Sequence, residues 1–252
     1  MSEPGSLLRS LSGRPSARNF HAFVINEIGG GIVSGRYPVG STLPSDAEMM
    51  ASFGVSRTVL REALRTLESK GIVEARPKVG TRVSNRSRWN FFDRQVLAWH
   101  FEADMSAEFV AGLFDVRARL EEHATGLAVL QRNAEHIRLL KYWVHQMELA
   151  HEDVEAHALA ALEVHRVIVD ASGNPLLRSA LGLVELTLAV VAVGVPEGGR
   201  VAFRQAQTAR CNALVDAMEA GQGAAASEAM RELVAFEFGG IPPGAGHRAR
   251  RV

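Results

Sequence analysis

Apolar and polar positions recur with two different periods in the first third of the chain. From residue 17 to about residue 35, apolar residues recur every three to four positions, which predicts a helix. A capping box formed by Ser45 and Glu48 predicts the start of a short second helix. Ser56 can cap a third helix that ends at Lys70, and two β-branched runs around "PKVG" then predict a hairpin.

Beyond residue 85, every periodic segment has helical spacing. The predicted helices span residues 91–102, 107–130, 134–148, 153–171, 175–193, 200–220 and 224–238. The pattern predicts a mainly α protein with an N-terminal winged helix-turn-helix and a C-terminal all-α helical bundle. The predicted divisions are a disordered tail at 1–16, a winged domain at 17–85, a linker with a helix at 86–102, a helical domain at 103–240 and a flexible tail at 241–252.

Charge is distributed unevenly between the two halves, although the formal net charge is zero. Residues 1–86 carry 12 Lys+Arg and 7 Asp+Glu, a net charge of +5, whereas residues 87–252 carry 16 and 21, a net charge of −5. This asymmetry indicates that only the front part of the chain faces a polyanion.

The expected compartment is the cytoplasm. Cys211 is the single cysteine, which excludes an internal disulfide and fits a reducing environment. The first residues show no charged-then-apolar signal pattern. The longest apolar run, residues 181–195, contains Glu185 and is shorter than the roughly 20 residues of a membrane-spanning helix, so we expect a buried helix and no membrane partner.

Three arginines lie at intervals of four on the third predicted helix. The apolar stripe of that helix packs it down and leaves Arg57 and Arg61 pointing outward, while Arg65 is expected to face solvent or an acidic neighbour. Arginines on an exposed helix face are often merely solvated. The order of capped helix, tight turn, second helix and hairpin favours phosphate and base contacts instead. The expected DNA-binding residues are Ser56, Arg57, Thr58, Arg61, and, at the hairpin tip, Lys78 and Gly80.

The stretch "LPSDAEMMASFGVSRTVLREALRTLESKGIVEARPKVGTRV" resembles the DNA-binding domain of the GntR superfamily of bacterial transcription regulators. The resemblance rests on the spacing of "GVSR", "REAL", "GIV" and "GTRV", and it implies DNA contacts at Ser56, Arg57, Thr58, Arg61 and Gly80. Some members have a DNA-contacting arginine at the position of Ala47. Alanine makes no such contact, so the resemblance implies an altered or more weakly bound operator.

The helical remainder resembles the effector (FCD-type) domain of the FadR subfamily. The segments that carry this resemblance are "FDVRARLEEHATGLA", "VHRVIVDASGNPLL" and "LVDAMEAGQGAAASEAM". The region from residue 86 to 102 is also similar to the linker of the galactonate-responsive branch.

Many relatives hold a divalent metal with one aspartate and three histidines, and the corresponding positions here are Ala161, His165, Cys211 and Leu233. Only His165 keeps its identity, and Cys211 ligates only as a thiolate. Two potential ligands are too few for a tight zinc site, so we expect no metal and no cofactor.

The resemblance implies instead a small organic acid or sugar acid as the effector. The expected contacts are Arg117, Glu121, His165 and Cys211, with Arg117 holding a carboxylate. An alternative reading of Arg117 and Glu121 is a structural ion pair between residues four apart. His157 is expected at the surface, among charged neighbours.

Together these features predict a ligand-responsive transcription regulator, a repressor, that binds operator DNA as a homodimer. Two alternatives remain open at the sequence level. One is a DNA-binding protein whose helical domain is purely structural. The other is a metal-dependent enzyme, which the missing ligands and the lack of a nucleophile–base pair disfavour.

Overall fold

A computed structural model describes residues 6–9, 20–103 and 105–242. Its helices, in chain order, are α1 (Ser6–Arg9), α2 (Phe20–Val33), α3 (Asp46–Phe53), α4 (Arg57–Ser69), α5 (Arg94–Glu102), α6 (Ala107–Gln131), α7 (Ala134–Leu149), α8 (Val154–Ala171), α9 (Pro175–Arg178), α10 (Leu181–Gly194), α11 (Arg200–Glu219) and α12 (Gly223–Gly239). The strands are β1 (Val73–Arg76) and β2 (Gly80–Val83). The chain forms two compact units, a winged unit of residues 20–103 and a helical unit of residues 6–9 with 105–242.

The winged unit has the predicted helix-turn-helix and hairpin. Ser45 caps α3 through the predicted capping box, because its side chain accepts the Glu48 N–H and Glu48 accepts the Ser45 N–H at 2.8 Å. Gly54 ends α3 in the left-handed conformation, with φ of 66°. Strands β1 and β2 pair antiparallel, with Val73 opposite Val83.

Helix α5 packs within the winged unit. The Trp99 indole packs so closely on α2 that a Cβ at Gly29 would lie 2.5 Å from it. Its Nε1 donates to Oδ1 of Asn26 at 3.0 Å. A Cβ at Gly31 would likewise meet the Tyr37 ring at 2.8 Å. Glycine disfavours a helix interior, but in the run of glycines at 29, 30 and 31 the first and third positions permit this close packing.

The helical unit surrounds the apolar helix α10. Every residue from Leu181 to Val191 is buried, and α10 packs against α6, α8 and α1. The stretch Pro175–Gly194 is long and apolar enough to cross a membrane by length and composition, but 72% of its most apolar window is buried among the other helices. It is therefore placed as the core helix of this unit, as the sequence predicts.

Three sequence-based boundaries differ from the structure. The predicted disorder of residues 1–16 is wrong for α1, because Leu8 is fully buried and the Leu7 N–H donates to Glu185 at 2.7 Å; residues 1–5 and 10–16 lie outside the described residues. The predicted helix 175–193 is two helices, since i→i+3 hydrogen bonds from Ser179 and Ala180 close α9. Helix α5 begins at Arg94 because Asp93 accepts the first free amides. Of the predicted flexible tail at 241–252, residues 243–252 lie outside the described residues.

Candidate DNA-binding face and effector core

The recognition helix α4 is held by a cap at its N-terminus and by a buried apolar face. Ser56 caps it, with its Oγ accepting the Val59 N–H, so the hydroxyl that was predicted to contact DNA also holds the helix start. Leu60, Ala63 and Leu67 are buried and anchor the opposite face to the winged unit. The first-turn amides and the positive end of the helix dipole therefore point outward, where they favour an anion.

Arg57 and Arg61 present unpaired guanidinium groups on this face. Both are exposed, and among the described residues neither has a carboxylate within ion-pair distance. Arg65, one turn further along, donates from Nη1 to Oε1 of Glu62 at 2.7 Å. The structure thus separates two available arginines from one that is neutralised, as the sequence predicts.

The wing lies beside the same helix. Arg61 and Gly80 line one open groove between α4 and the hairpin. Lys78 is exposed at the hairpin tip with φ of 64°, and Gly80 has φ of 104°, a conformation that favours glycine. All six predicted DNA-binding residues are exposed: Ser56, Arg57, Thr58, Arg61, Lys78 and Gly80. They form what we call the recognition face.

The second predicted site is a polar core buried within the helical unit. Arg117 on α6 is fully buried. Its Nε donates to Glu121 Oε2 and its Nη1 to Glu237 Oε2, each at 2.6 Å. Nη1 also donates to Thr187 at 3.0 Å, and Nη2 lies 3.1 Å from His165 Nε2. The structure therefore gathers Arg117, Glu121 and His165, but the chain's own groups already accept from the guanidinium.

The ion pairs of the polar core keep Arg117 and Glu121 charged. Burial alone would raise the pKa of Glu121, but the charge and hydrogen bond of Arg117, together with the neighbouring His165 ring, outweigh it and lower that pKa to about 2. Burial would lower the pKa of Arg117, and Glu121 and Glu237 reverse that effect and raise it. Because Arg117 can only donate, His165 Nε2 accepts, which leaves the Nδ1 proton facing Glu121 Oε1 at 2.5 Å. That contact is too poorly aligned to count as a hydrogen bond.

Sequence reasoning missed three polar members of this core, Glu237, Gln207 and Thr187. Gln207 Nε2 donates to Glu237 Oε1 at 2.6 Å. A signal was present: Met230, Leu233 and Glu237 share one helix face, so the carboxylate occupies a core position of α12. A charged residue on an apolar stripe indicates a buried partner, and here that partner is Arg117.

The residues at the degenerate metal positions do not fit a metal ion. Burial raises the pKa of the Cys211 thiol, with the Glu237 charge adding to the effect, so the thiol stays protonated and is not a thiolate ligand. His165 is engaged by Arg117 and Glu121, and the Arg117 charge repels a cation. Within residues 6–9, 20–103 and 105–242, no group of three or more His, Cys, Asp or Glu is placed to hold a metal.

Space beside the polar core is small. The cavity that borders Arg117 and Glu121 admits the centre of a water molecule in about 10 Å³, which is room for about one water. An effector the size of a sugar acid requires this region to rearrange.

His157 corrects a sequence-based expectation, because it is buried rather than at the surface. Its Nε2 lies 2.9 Å from Gln207 Oε1 and its Nδ1 lies 3.1 Å from the Met147 carbonyl oxygen. Burial lowers the pKa of His157 to about 4. The charged neighbours in the sequence point away from it, since position 157 falls on the apolar face of α8.

Both units match known families. Residues 21–83 match the family of bacterial regulatory proteins called gntR, and residues 112–236 match the FCD domain. All six residues of the recognition face lie within the first match, and Arg117, Glu121, His165 and Cys211 lie within the second. These are domains of DNA-binding transcription regulators and not of enzymes.

Curated relatives of the chain are described as transcription regulators. The chain is 35% identical over 150 residues to an uncharacterised HTH-type transcriptional regulator, YieP, of Escherichia coli; the match covers 59% of this chain and 65% of that protein. It is 28% identical over 155 residues to the galactonate operon transcriptional repressor of the same organism, covering 62% of this chain and 68% of the repressor. The chain thus spans about two thirds of the length of these relatives.

A solved structure supports the fold. A Listeria monocytogenes protein, described as Lar, which controls expression of the agr system, superposes with a TM-score of 0.63 at 18% identity, over 89% of this chain and 97% of that one. With a GntR-type winged unit followed by an FCD-type helical unit, the chain belongs to the GntR family of bacterial transcription regulators, in its FCD-containing FadR subfamily.

Proposed function

We propose that this chain is a cytoplasmic, homodimeric repressor that binds operator DNA through its recognition face and responds to a small organic acid or sugar acid through its helical unit. The observation that carries the proposal is the pair of exposed, unpaired guanidinium groups of Arg57 and Arg61 at the start of a capped recognition helix. Repression is supported by the similarity to the galactonate operon repressor.

Operator recognition follows from the composition of the recognition face. Arg57 and Arg61 bind phosphate or guanine in the major groove, and Ser56 and Thr58 hold backbone oxygens. Lys78 and the Gly80 backbone reach the adjacent groove of the DNA from the wing. Two copies related by a two-fold axis would place paired recognition helices on a pseudo-palindromic site.

Effector sensing centres on the FCD-type helical unit. A buried arginine is a suitable anchor for a carboxylate, and Arg117 lies in the middle of this unit. Its acceptors are Glu121 and Glu237, so an acid that reached it would have to displace one of these carboxylates.

A second function is favoured by one observation. The cavity beside Arg117 has room for about one water molecule, which suits a helical unit that holds the dimer together and senses nothing. In that case DNA binding would be constitutive.

One titration tests both functions. The protein is titrated against a duplex from upstream of its own gene, with excess unrelated duplex as competitor, and then a panel of organic and sugar acids is added. Competitor-resistant binding that an acid releases supports the sensing repressor. Competitor-resistant binding that no acid changes supports the structural alternative, and the absence of any preference for that duplex or other tested promoter DNA contradicts both.

A further inference from the structure

A second pocket lies within the helical unit, between α8, α10 and α11, and borders the polar core at Gln207. Its walls are mostly apolar. They are formed by Val154, Ala158, Leu188, Val191, Ala192, Val195 and Phe203, and the polar residues that line it are His157, Arg200, Arg204 and Gln207. No Asp or Glu is among these described lining residues. We call it the Arg204 pocket.

Arg204 is a buried cation without a carboxylate partner in the part of the chain that the structure describes. The residue is 8% exposed, and its Nε donates to the His151 carbonyl oxygen at 2.5 Å. Burial and the neighbouring Arg200 lower the pKa of Arg204, and the charges of Glu152 and Asp153 only partly offset this. A desolvated guanidinium gains strongly from a bound anion.

Arg200 adds a second cation at the mouth of the Arg204 pocket. It lies one turn before Arg204, its side chain is 33% exposed, and its only described carboxylate contact, with Glu197, is long at 3.8 Å. Both guanidinium groups therefore favour negative charge at the same end of the pocket.

We infer that the Arg204 pocket binds a small carboxylic acid with an apolar body, the carboxylate on Arg204 and Arg200 and the body against the aliphatic walls. This inference rests on the proposed sensing function and specifies the ligand class. A sugar acid fits less well, because its hydroxyl groups would lose water against the apolar walls and find few partners there.

The floor of the Arg204 pocket leads directly to the polar core. Gln207 faces His157 at 2.9 Å and donates to Glu237 at 2.6 Å, and Glu237 accepts from Arg117 at 2.6 Å. A ligand that moves Gln207 thus changes the hydrogen bonding of Glu237 and, through it, of Arg117. The acid acts on the polar core without displacing a carboxylate from Arg117.

The pocket opens as the ligand enters. About 20 Å³ of it admits the centre of a water molecule, which is room for one or two waters, so the ligand has to widen the pocket. The partly exposed Arg200 side chain donates from Nε to the Val195 carbonyl oxygen at 3.0 Å, a bond that widening has to break. Phe203 is held by stacking on Phe236 with ring centroids 4.6 Å apart.

Isothermal titration of the full chain with hexanoate and benzoate tests the inference. Hexanamide and benzamide test the need for charge, and gluconate tests the need for an apolar body. We expect one of the two acids to bind and its amide and gluconate to bind more weakly. Arg204→Gln should raise the dissociation constant of that acid by about tenfold to a hundredfold. This is the range for losing a hydrogen bond to a charged group.

Two further variants separate binding from folding. Ala192→Leu, at a partly exposed position of the wall, should weaken binding of the acid. The midpoint of thermal unfolding of the protein should stay unchanged. Arg166→Gln is the matched control, because Arg166 lies on α8 outside the pocket and pairs with Glu163, and it should bind like the native protein. No binding of either acid, or undiminished binding by Arg204→Gln, would overturn the inference.

Operator release distinguishes this inference from the proposed function. Binding that depends on Arg204 without release of DNA would leave the pocket established and the sensing function refuted. Release of DNA by gluconate in both the native protein and Arg204→Gln would leave the sensing function standing and refute the pocket.

Discussion

At the scale of single residues, the helical unit is unusual for the number of charged groups in its interior. Arg117 and Glu237 are fully buried, and Glu121 is nearly so. A buried ion pair has a large desolvation cost, which its own attraction and hydrogen bonds offset only while all partners are present. Removal of any one of these charged side chains is therefore expected to destabilise the helical unit.

Replacing Arg117 tests this expectation. Arg117→Leu leaves Glu121 and Glu237 buried without their cation, and we expect the free energy of unfolding to fall by about 3–5 kcal/mol. Urea unfolding measures the change. Arg138→Leu is the control, because Arg138 pairs with Glu135 on the exposed face of α7, and it should leave stability unchanged. Equal effects of the two substitutions would mean that the polar core is not held by charge.

The buried His157 makes stability depend on pH. Its pKa is about 4 in the folded protein, below its ordinary value of 6.5, so between these values the unfolded chain binds a proton that the folded chain does not. The free energy of unfolding should therefore fall as pH drops from about 6.5 to about 4, by about 3 kcal/mol from this residue.

Urea unfolding of the native protein and of His157→Gln across this pH range measures that effect. The variant should lose most of the decline, with a remainder because burial also lowers the pKa of His100. If both proteins decline with the same slope, His157 does not titrate as its burial requires.

At the scale of elements, helix starts and ends were predictable from local chemistry, and close packing was not. The capping box at Ser45 and the cap at Ser56 involve neighbours in sequence, so the residues alone indicate them. Position 29 requires glycine because the Trp99 ring, 70 positions away in the sequence, packs against it. Helix α1 was missed for a similar reason, because its partner Glu185 lies on α10.

Two adjacent glycines separate packing from helix propensity. A Cβ at Gly29 would overlap the Trp99 ring at 2.5 Å, whereas a Cβ at Gly30 would meet nothing within 4 Å. Gly30→Ala should therefore raise the free energy of unfolding by up to about 1 kcal/mol. Gly29→Ala should lower it, because overpacking outweighs the gain in helix propensity. Thermal unfolding of the two variants provides the comparison, and a stabilising Gly29→Ala would refute the packing of α5 on α2.

At the scale of the whole molecule, the pattern of apolar positions predicted the winged unit and the helical unit, and both family matches confirm the fold class. The recognition face was also predictable, since it needs only helix geometry and exposed charge. The polar core was predictable in part. Arg117, Glu121 and His165 lie together, but Glu237 and Gln207 come from helices that the sequence does not place beside them.

The central claim is that the recognition face binds DNA through Arg57 and Arg61. The measurement is a fluorescence titration of promoter duplex, with unrelated competitor, for Arg57→Ala, Arg61→Ala and Arg65→Ala at several salt concentrations. We predict that the first two variants each lose about 1–3 kcal/mol of binding free energy or about one unit of salt slope. Arg65→Ala should bind like the native protein, because Arg65 is paired with Glu62. Equal binding by all three variants, with the same salt slope, would contradict the claim.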